Sequence, residues 1–222
     1  MQAASANKES DQTIVLVLAD IGVLPGEQQE MISRWVDNGG VLLRFAGPRF
    51  AGAQDGLVPV TLRAGDRSLG SALSWETPQP MQPFPEKSPF AGLTPDPSVT
   101  VNRQVLAEPD SDLPDKVWAS LADGTPLVTA KKEGKGLVVL FHVTANADWS
   151  NLPVSGLFLE MLRRVLDLAP AAGSGVKSGL SRLAVEEEGL NFLRHICLAV
   201  FPTNAVRWTL SRCELALDGL EN

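Results

Sequence analysis

Residues Thr13–Ala19 read TIVLVLA, an uncharged run dominated by β-branched and leucine side chains. A continuous apolar run of this length fits a strand buried on both faces, the environment of a parallel sheet covered by helices. The next thirty residues strengthen that constraint. Pro25 stands where a helix can begin, with the acidic Glu27 in the first turn, a placement favoured by the helix dipole. Leu24, Met31, Ile32, Trp35 and Val36 then form a helical stripe. Asn38-Gly39-Gly40 ends it, because glycine enters the left-handed terminal conformation without strain. Val41–Phe45, VLLRF, is the second strand. The whole is one β-α-β unit, whose crossover is expected to be right-handed.

The second half has a different rhythm. Val117–Leu121, Leu127–Lys132 and Leu137–Val143 read as an antiparallel meander, with Asp123-Gly124 and Glu133-Gly134-Lys135-Gly136 as its turns. Val154, Leu157, Phe158, Met161, Leu162, Val165 and Leu166 recur at three and four, the clearest amphipathic helix in the chain. Asp148-Trp149-Ser150 is read as its beginning, with Ser150 or Asn151 as the cap and Trp149 packed beneath. Between the two halves, Val58–Leu62, Ser68–Trp75 and Val99–Leu106 read as strands. Thr77–Pro97 is crowded with proline and reads as an ordered, meandering loop. The expected organisation is a disordered N-terminus over 1–12, an α/β domain over 13–169, a linker over 170–179, and a divergent tail over 180–222. That tail is read as helical or poorly ordered, with a helical pattern over Glu186–Val200.

Composition narrows the function classes. With 26 acidic and 19 basic residues the net charge is −7, against a nucleic-acid footprint, which needs clustered Lys and Arg. The two cysteines, Cys197 and Cys213, and the two histidines show neither disulfide-framework nor metal-site spacing. No cofactor or metal is expected. No apolar run approaches the roughly 20 residues of a membrane span, and MQAASANKESDQ lacks the apolar centre of a signal peptide. By itself the chain is read as soluble and cytoplasmic, with no direct membrane insertion.

The residues that carry chemistry lie at strand ends. Asp20 follows the first strand, Arg44 interrupts the second, and His142 ends the apolar run GLVVLF before a polar loop holding Asp148 and Trp149. Open α/β sheets bind ligands at the C-terminal ends of their strands, so these five residues form the candidate ligand or interaction cleft. Asp20 is read as a turn or cap residue, since no neighbouring acids build a phosphoacceptor site. Arg44, in an apolar strand, must pair with an acid or reach the end of the sheet; a carboxylate contact is the preferred reading, with Asp20 and Asp148 the candidates by topology. Gly134-Lys135-Gly136 precedes a strand and lacks the phosphate-loop spacing, so it is read as a hairpin turn.

Two segments carry a family resemblance: RWVDNGGVLLRFAGPRFAG (Arg34–Gly52) and DGTPLVTAKKEGKGLVVLFHVTANADWSNLPVSGLFLEMLRRVL (Asp123–Leu166). They resemble the class I glutamine amidotransferase-like domain of bacterial membrane proteins. Those proteins carry an N-terminal double-transmembrane segment of aerotolerance-regulator type and a C-terminal domain of unknown function. The resemblance implies an α/β, flavodoxin-like three-layer sandwich with an added antiparallel meander. It places His142 where the family's base stands and Thr144 where its acid stands. Thr144 cannot carry the negative charge that stabilises an imidazolium. No cysteine precedes Cys197, and no G-x-S-x-G elbow is present. The resemblance therefore implies a non-catalytic module of a membrane-associated, periplasm-facing protein, with a protein partner in the cell envelope or a ligand to recognise. The alternatives are a hydrolase or amidotransferase using His142 with an unrecognised nucleophile, and a carbohydrate or small-molecule binding domain.

Overall fold

The computed structural model describes residues 15–52, 55–63 and 72–169. The expectations for 1–12, for the linker at 170–179 and for the tail at 180–222 lie outside them, as does the first half, 68–71, of the strand expected over Ser68–Trp75. The elements are β1 (Val15–Ala19), α1 (Gly26–Asp37), β2 (Val41–Phe45), α2 (Pro48–Gly52), β3 (Ala72–Pro80) and β4 (Thr100–Val105). They continue with α3 (Leu113–Lys116), β5 (Val117–Ser120), β6 (Pro126–Glu133), β7 (Gly136–Phe141), a 3-10 turn (Leu152–Val154) and α4 (Gly156–Leu166). Among the described residues, no helix is long and apolar enough to cross a membrane.

The fold is α/β. Five strands form one mixed sheet in the order β1-β2-β7-β6-β5, and β3 with β4 forms a separate antiparallel pair. β1, β2 and β7 run parallel, with Val15 beside Val41 and Val41 beside Leu137. β6 and β5 then add antiparallel to them. The meander and the parallel core therefore share β7, the apolar strand that ends just before His142.

Period-two alternation splits the apolar side chains between two layers. Leu16, Leu18, Leu42 and Val138 pack with Ile32 and Val36 of α1. Val15, Val17, Val41, Leu43, Phe45, Val139 and Phe141 share a second, larger core with Phe158, Met161, Leu162 and Val165 of α4. That core is closed by aromatic contacts, with Phe45 and Phe141 stacked at 4.9 Å and Phe158 edge-on to both at 5.9 and 5.6 Å. The glycine stop after α1 forms as expected. Gly39 has φ 119°, and the amides of Gly39 and Gly40 bond back to Val36 O and Trp35 O at 2.8 and 3.1 Å.

Three expectations are corrected. β3 extends to Pro80, inside the segment read as a loop, with its register shifted between Ser74 and Gln79. A two-stranded ribbon has free edges, so prolines that cannot donate to a ladder are tolerated there. Val58–Leu62 is no strand, and only Leu62 makes an isolated bridge, to Ala107. The last helix begins at Gly156, not near Asp148, because Pro153 holds Leu152–Val154 in a 3-10 turn and Ser155 supplies the cap. Its hydroxyl accepts from Phe158 N at 3.2 Å. Ser155→Ala is expected to lower stability by about 1 kcal/mol in denaturant titrations, and an unchanged midpoint would reject that capping role.

Candidate functional site

His142 continues from β7 into the space between β4 and β6. Its own backbone bonds two strands: His142 N donates to Leu127 O at 2.9 Å, and His142 O accepts from Val105 N at 2.9 Å. The imidazole repeats the pattern, with Nδ1 2.8 Å from Val105 O and Nε2 2.9 Å from Thr129 Oγ1. A carbonyl oxygen can only accept, so Nδ1 carries the proton and Nε2 accepts from the threonine hydroxyl. The side chain is 0% exposed. Burial pulls its pKa down to about 4, against a smaller upward pull from the bond to Val105.

This geometry bears on catalysis directly. A hydroxyl does lie within reach of the imidazole, but Thr129 sits inside β6 rather than on a sharp strand-to-helix bend, and it too is buried. The group that orients Nδ1 is a backbone carbonyl, not a carboxylate. A triad needs an accessible nucleophile and an orienting acid. Thr144, at the family's acid position, instead bonds Asn146 O at 3.2 Å and accepts from Trp149 N at 3.3 Å.

The depressed pKa has a measurable consequence. The unfolded chain takes up the histidine proton first as pH falls, so stability is complete above about 6.5. It declines from there to about 4 and is flat below. The full contribution is about 3 kcal/mol. His142→Asn keeps a donor for Val105 O but cannot titrate. Chemical denaturation at pH 7 and pH 4.5 should show a wild-type loss about 2 kcal/mol larger than the variant's. Equal losses would show that His142 does not set this acid dependence.

Arg44 is 1% exposed and lies on the α1 side of the sheet. Its carboxylate partner is Asp55, correcting the expectation of Asp20 or Asp148. The guanidinium also donates to Ile21 O at 2.9 Å and Leu57 O at 3.2 Å, and lies 4.7 Å from the centre of the Phe50 ring. Asp55 accepts in turn from Leu57 N at 3.0 Å and Leu24 N at 3.4 Å. The pair thus ties the loops after β1 and α2 to the sheet. Burial pulls the Arg44 pKa below its ordinary value, and Asp55's charge and hydrogen bond pull it back up.

Asp20 takes a left-handed conformation with φ 53°. Its Oδ1 accepts from the amides of Arg49 and Phe50, each at 3.0 Å, at the start of α2. Trp149 is 4% exposed. Its ring packs in the larger core with Arg103 5.8 Å away, and its carbonyl accepts from Asn102 N and Arg103 N at 2.8 and 3.2 Å. Asp148 is exposed and closes a turn with Asn146, 2.9 Å from its Nδ2. Asp20 and Arg44 therefore meet neighbouring loops at one sheet end, while His142 and Trp149 are sealed against β4. The expected five-residue cleft is divided between separate packing contacts. The sequence reading missed Asp55, and Asn151, read as a candidate cap, instead bonds Thr100 N and Ser98 O, each at 2.7 Å. Among the described residues, no cluster of three or more His, Cys, Asp or Glu could hold a metal ion.

No family model matches the chain, and no curated protein does. Solved structures do. The cytoplasmic protein STM3548 from Salmonella typhimurium is similar over 70% of this chain and 71% of its own, with a TM-score of 0.55 and 17% identity. The cytoplasmic protein STM1381 from Salmonella typhimurium LT2 aligns over 69% and 68%, with a TM-score of 0.50 and 17% identity. A β-galactosidase from Bacillus circulans sp. alkalophilus aligns over 69% of this chain and 22% of its own, with a TM-score of 0.42 and 17% identity; at that score it bears on neither fold nor function. The two Salmonella likenesses support the α/β fold and nothing narrower.

Proposed function

We propose that this chain is a non-catalytic, glutamine amidotransferase-like module with a flavodoxin-like sandwich fold. Its role is protein or ligand recognition within a membrane-associated bacterial protein. The observation that carries this reading is the closure of His142: both ring nitrogens are committed to protein groups and none of the side chain meets solvent. A general base must reach the proton it abstracts, and a fully buried imidazole bonded to a buried mid-strand threonine offers a substrate no approach. The helices on the two faces of a mixed sheet support the sandwich. The segments Arg34–Gly52 and Asp123–Leu166 support the family.

Glutaminase and esterase assays on the purified chain test the reading. Turnover is expected at the level of buffer and unchanged in His142→Asn. Turnover above buffer that disappears in that variant would establish the hydrolase reading instead. For the recognition role, the chain should retain a specific partner when mixed with the envelope proteins encoded beside it. Failure of every such pair to bind would remove the partner half of the proposal. A soluble sugar or other small molecule that raises the melting temperature in a dose-dependent way would favour the ligand half.

A further inference from the structure

Asn38-Gly39 is the chain's single Asn-Gly step, and it stands exposed at the end of α1. An asparagine can lose its amide when the backbone nitrogen of the next residue attacks its Cγ. A following glycine leaves that nitrogen unshielded, because it carries no side chain. The other described asparagines, Asn102, Asn146 and Asn151, precede arginine, alanine and leucine.

The folded backbone withholds this reaction. The attack closes a five-membered ring through the Asn38 carbonyl carbon, Cα, Cβ and Cγ and Gly39 N. Cβ must therefore lie nearly eclipsed with Gly39 N. Asn38 has ψ 0°, which eclipses its own backbone nitrogen there instead. Its Cβ then stands about 120° away, by the tetrahedral geometry at Cα. Both reacting groups are also held. Gly39 N donates to Val36 O at 2.8 Å, and Asn38 Nδ2 donates to Arg34 O at 3.0 Å. Turning ψ swings Gly39 and Gly40 away from these positions. It would break the bonds from Gly40 N to Trp35 O and from Leu137 N to Gly40 O, each at 3.1 Å. The step is open to reaction only when the end of α1 parts from the start of β7.

We propose that Asn38 is a site of spontaneous deamidation gated by this joint, and that the β-linked product cannot reclose it. Gly39 N bonds to Asn38 Cγ and gives up its proton, while Nδ2 gains one and departs as ammonia. Water then opens the ring. Addition at Cγ leaves an aspartate in the ordinary chain, an anion at the negative end of the α1 dipole. Addition at the backbone carbonyl leaves Gly39 joined through the side chain, with one more carbon in the main chain. That lengthens the path between two pinned carbonyls: Asp37 O is held by Lys135 N at 2.9 Å and Gly40 O by Leu137 N.

Peptide mapping by mass spectrometry on the full chain tests this, since trypsin releases residues 35–44 as one peptide. At neutral pH the peptide should deamidate at least about 10-fold more slowly in the native chain than in denaturing urea. Gly134→Ala should raise the native rate toward the urea rate, because a Cβ there falls 2.6 Å from Asp37 O. Gly124→Ala, also at positive φ but with nothing within 4 Å of its Cβ, should leave the rate unchanged. The purified β-linked product provides a measurement that needs no variant. Its Leu137 amide should exchange at least about 100-fold faster than in the unmodified chain, while Val139, paired on both sides, stays slow. Equal native and urea rates, or no deamidation in urea, would overturn the gated site. So would a native rate untouched by Gly134→Ala or raised equally by Gly124→Ala. A protected Leu137 amide in the β-linked product would show that the joint recloses after modification.

Discussion

Arg44→Met should lower stability by about 3–5 kcal/mol, the range for removing one partner of a buried ion pair. The mechanism is what remains behind. The Asp55 side chain is as buried as that of Arg44, and without the guanidinium its remaining donors among the described residues are the amides of Leu57 and Leu24. The carbonyls of Ile21 and Leu57 lose their donors in the same step. Asp55→Asn keeps an acceptor for Leu57 N while discarding the charge. The double variant Arg44→Met/Asp55→Asn should therefore be less destabilised than the two single losses added together, with a coupling of about 2 kcal/mol in a double-mutant cycle. Urea titrations of the four proteins measure it. An Arg44→Met midpoint within error of the wild type, or strict additivity, would mean the pair is not what holds these loops.

The contrast between Arg44 and its partner marks where sequence reading succeeds. An arginine inside VLLRF announces itself, because burying an unpaired charge is prohibitive. Its partner does not, because Asp55 lies in an irregular segment and reaches the sheet only after α2 has turned the chain. The same division runs through the fold. β1, α1, β2, the three meander strands and α4 follow from continuous apolar runs, from a period of 3.6 and from glycine turns and stops, which are local properties. The extension of β3 through Pro78 and Pro80 depends on its lying in a two-stranded ribbon, a tertiary fact. The start of α4 was set by Pro153 and Ser155, while Asp148 and Asn151, equally good caps by type, were taken up by a turn with Asn146 and by the loop before β4.

The candidate site divides in the same way. That Asp20, Arg44 and His142 stand at strand ends is legible from the apolar runs that precede them. That His142 faces inward is not, because it depends on β4 arriving beside β7, across a connection whose length and prolines gave no register. A histidine at a strand end is open to solvent in one topology and sealed in another. Here Val105, 37 positions earlier in the chain, seals it.

Gly136→Ala is expected to destabilise the fold by on the order of 4 kcal/mol. A Cβ built at this position falls 2.1 Å from Val36 O and 2.3 Å from Gly40 O. Both are backbone atoms, so no side-chain rotation relieves the overlap. Either the end of α1 must lift or β7 must shift, and neither is free. Lys135 N bonds Asp37 O at 2.9 Å and Leu137 N bonds Gly40 O at 3.1 Å on either side of the glycine. The helix–Gly-Gly–strand step and the Gly-Lys-Gly hairpin are thus two halves of one joint, which gives both motifs a packing reason independent of any ligand. Gly124→Ala is the control: that glycine sits in a turn with φ 87°, whereas Gly136 is in a strand, and a Cβ at 124 meets nothing within 4 Å. Its cost is the left-handed backbone alone, about 1–2 kcal/mol. Thermal and urea unfolding of the two variants should separate them clearly. Equal destabilisation would mean that the close approach of α1 adds nothing at position 136 beyond what a single strained turn residue costs.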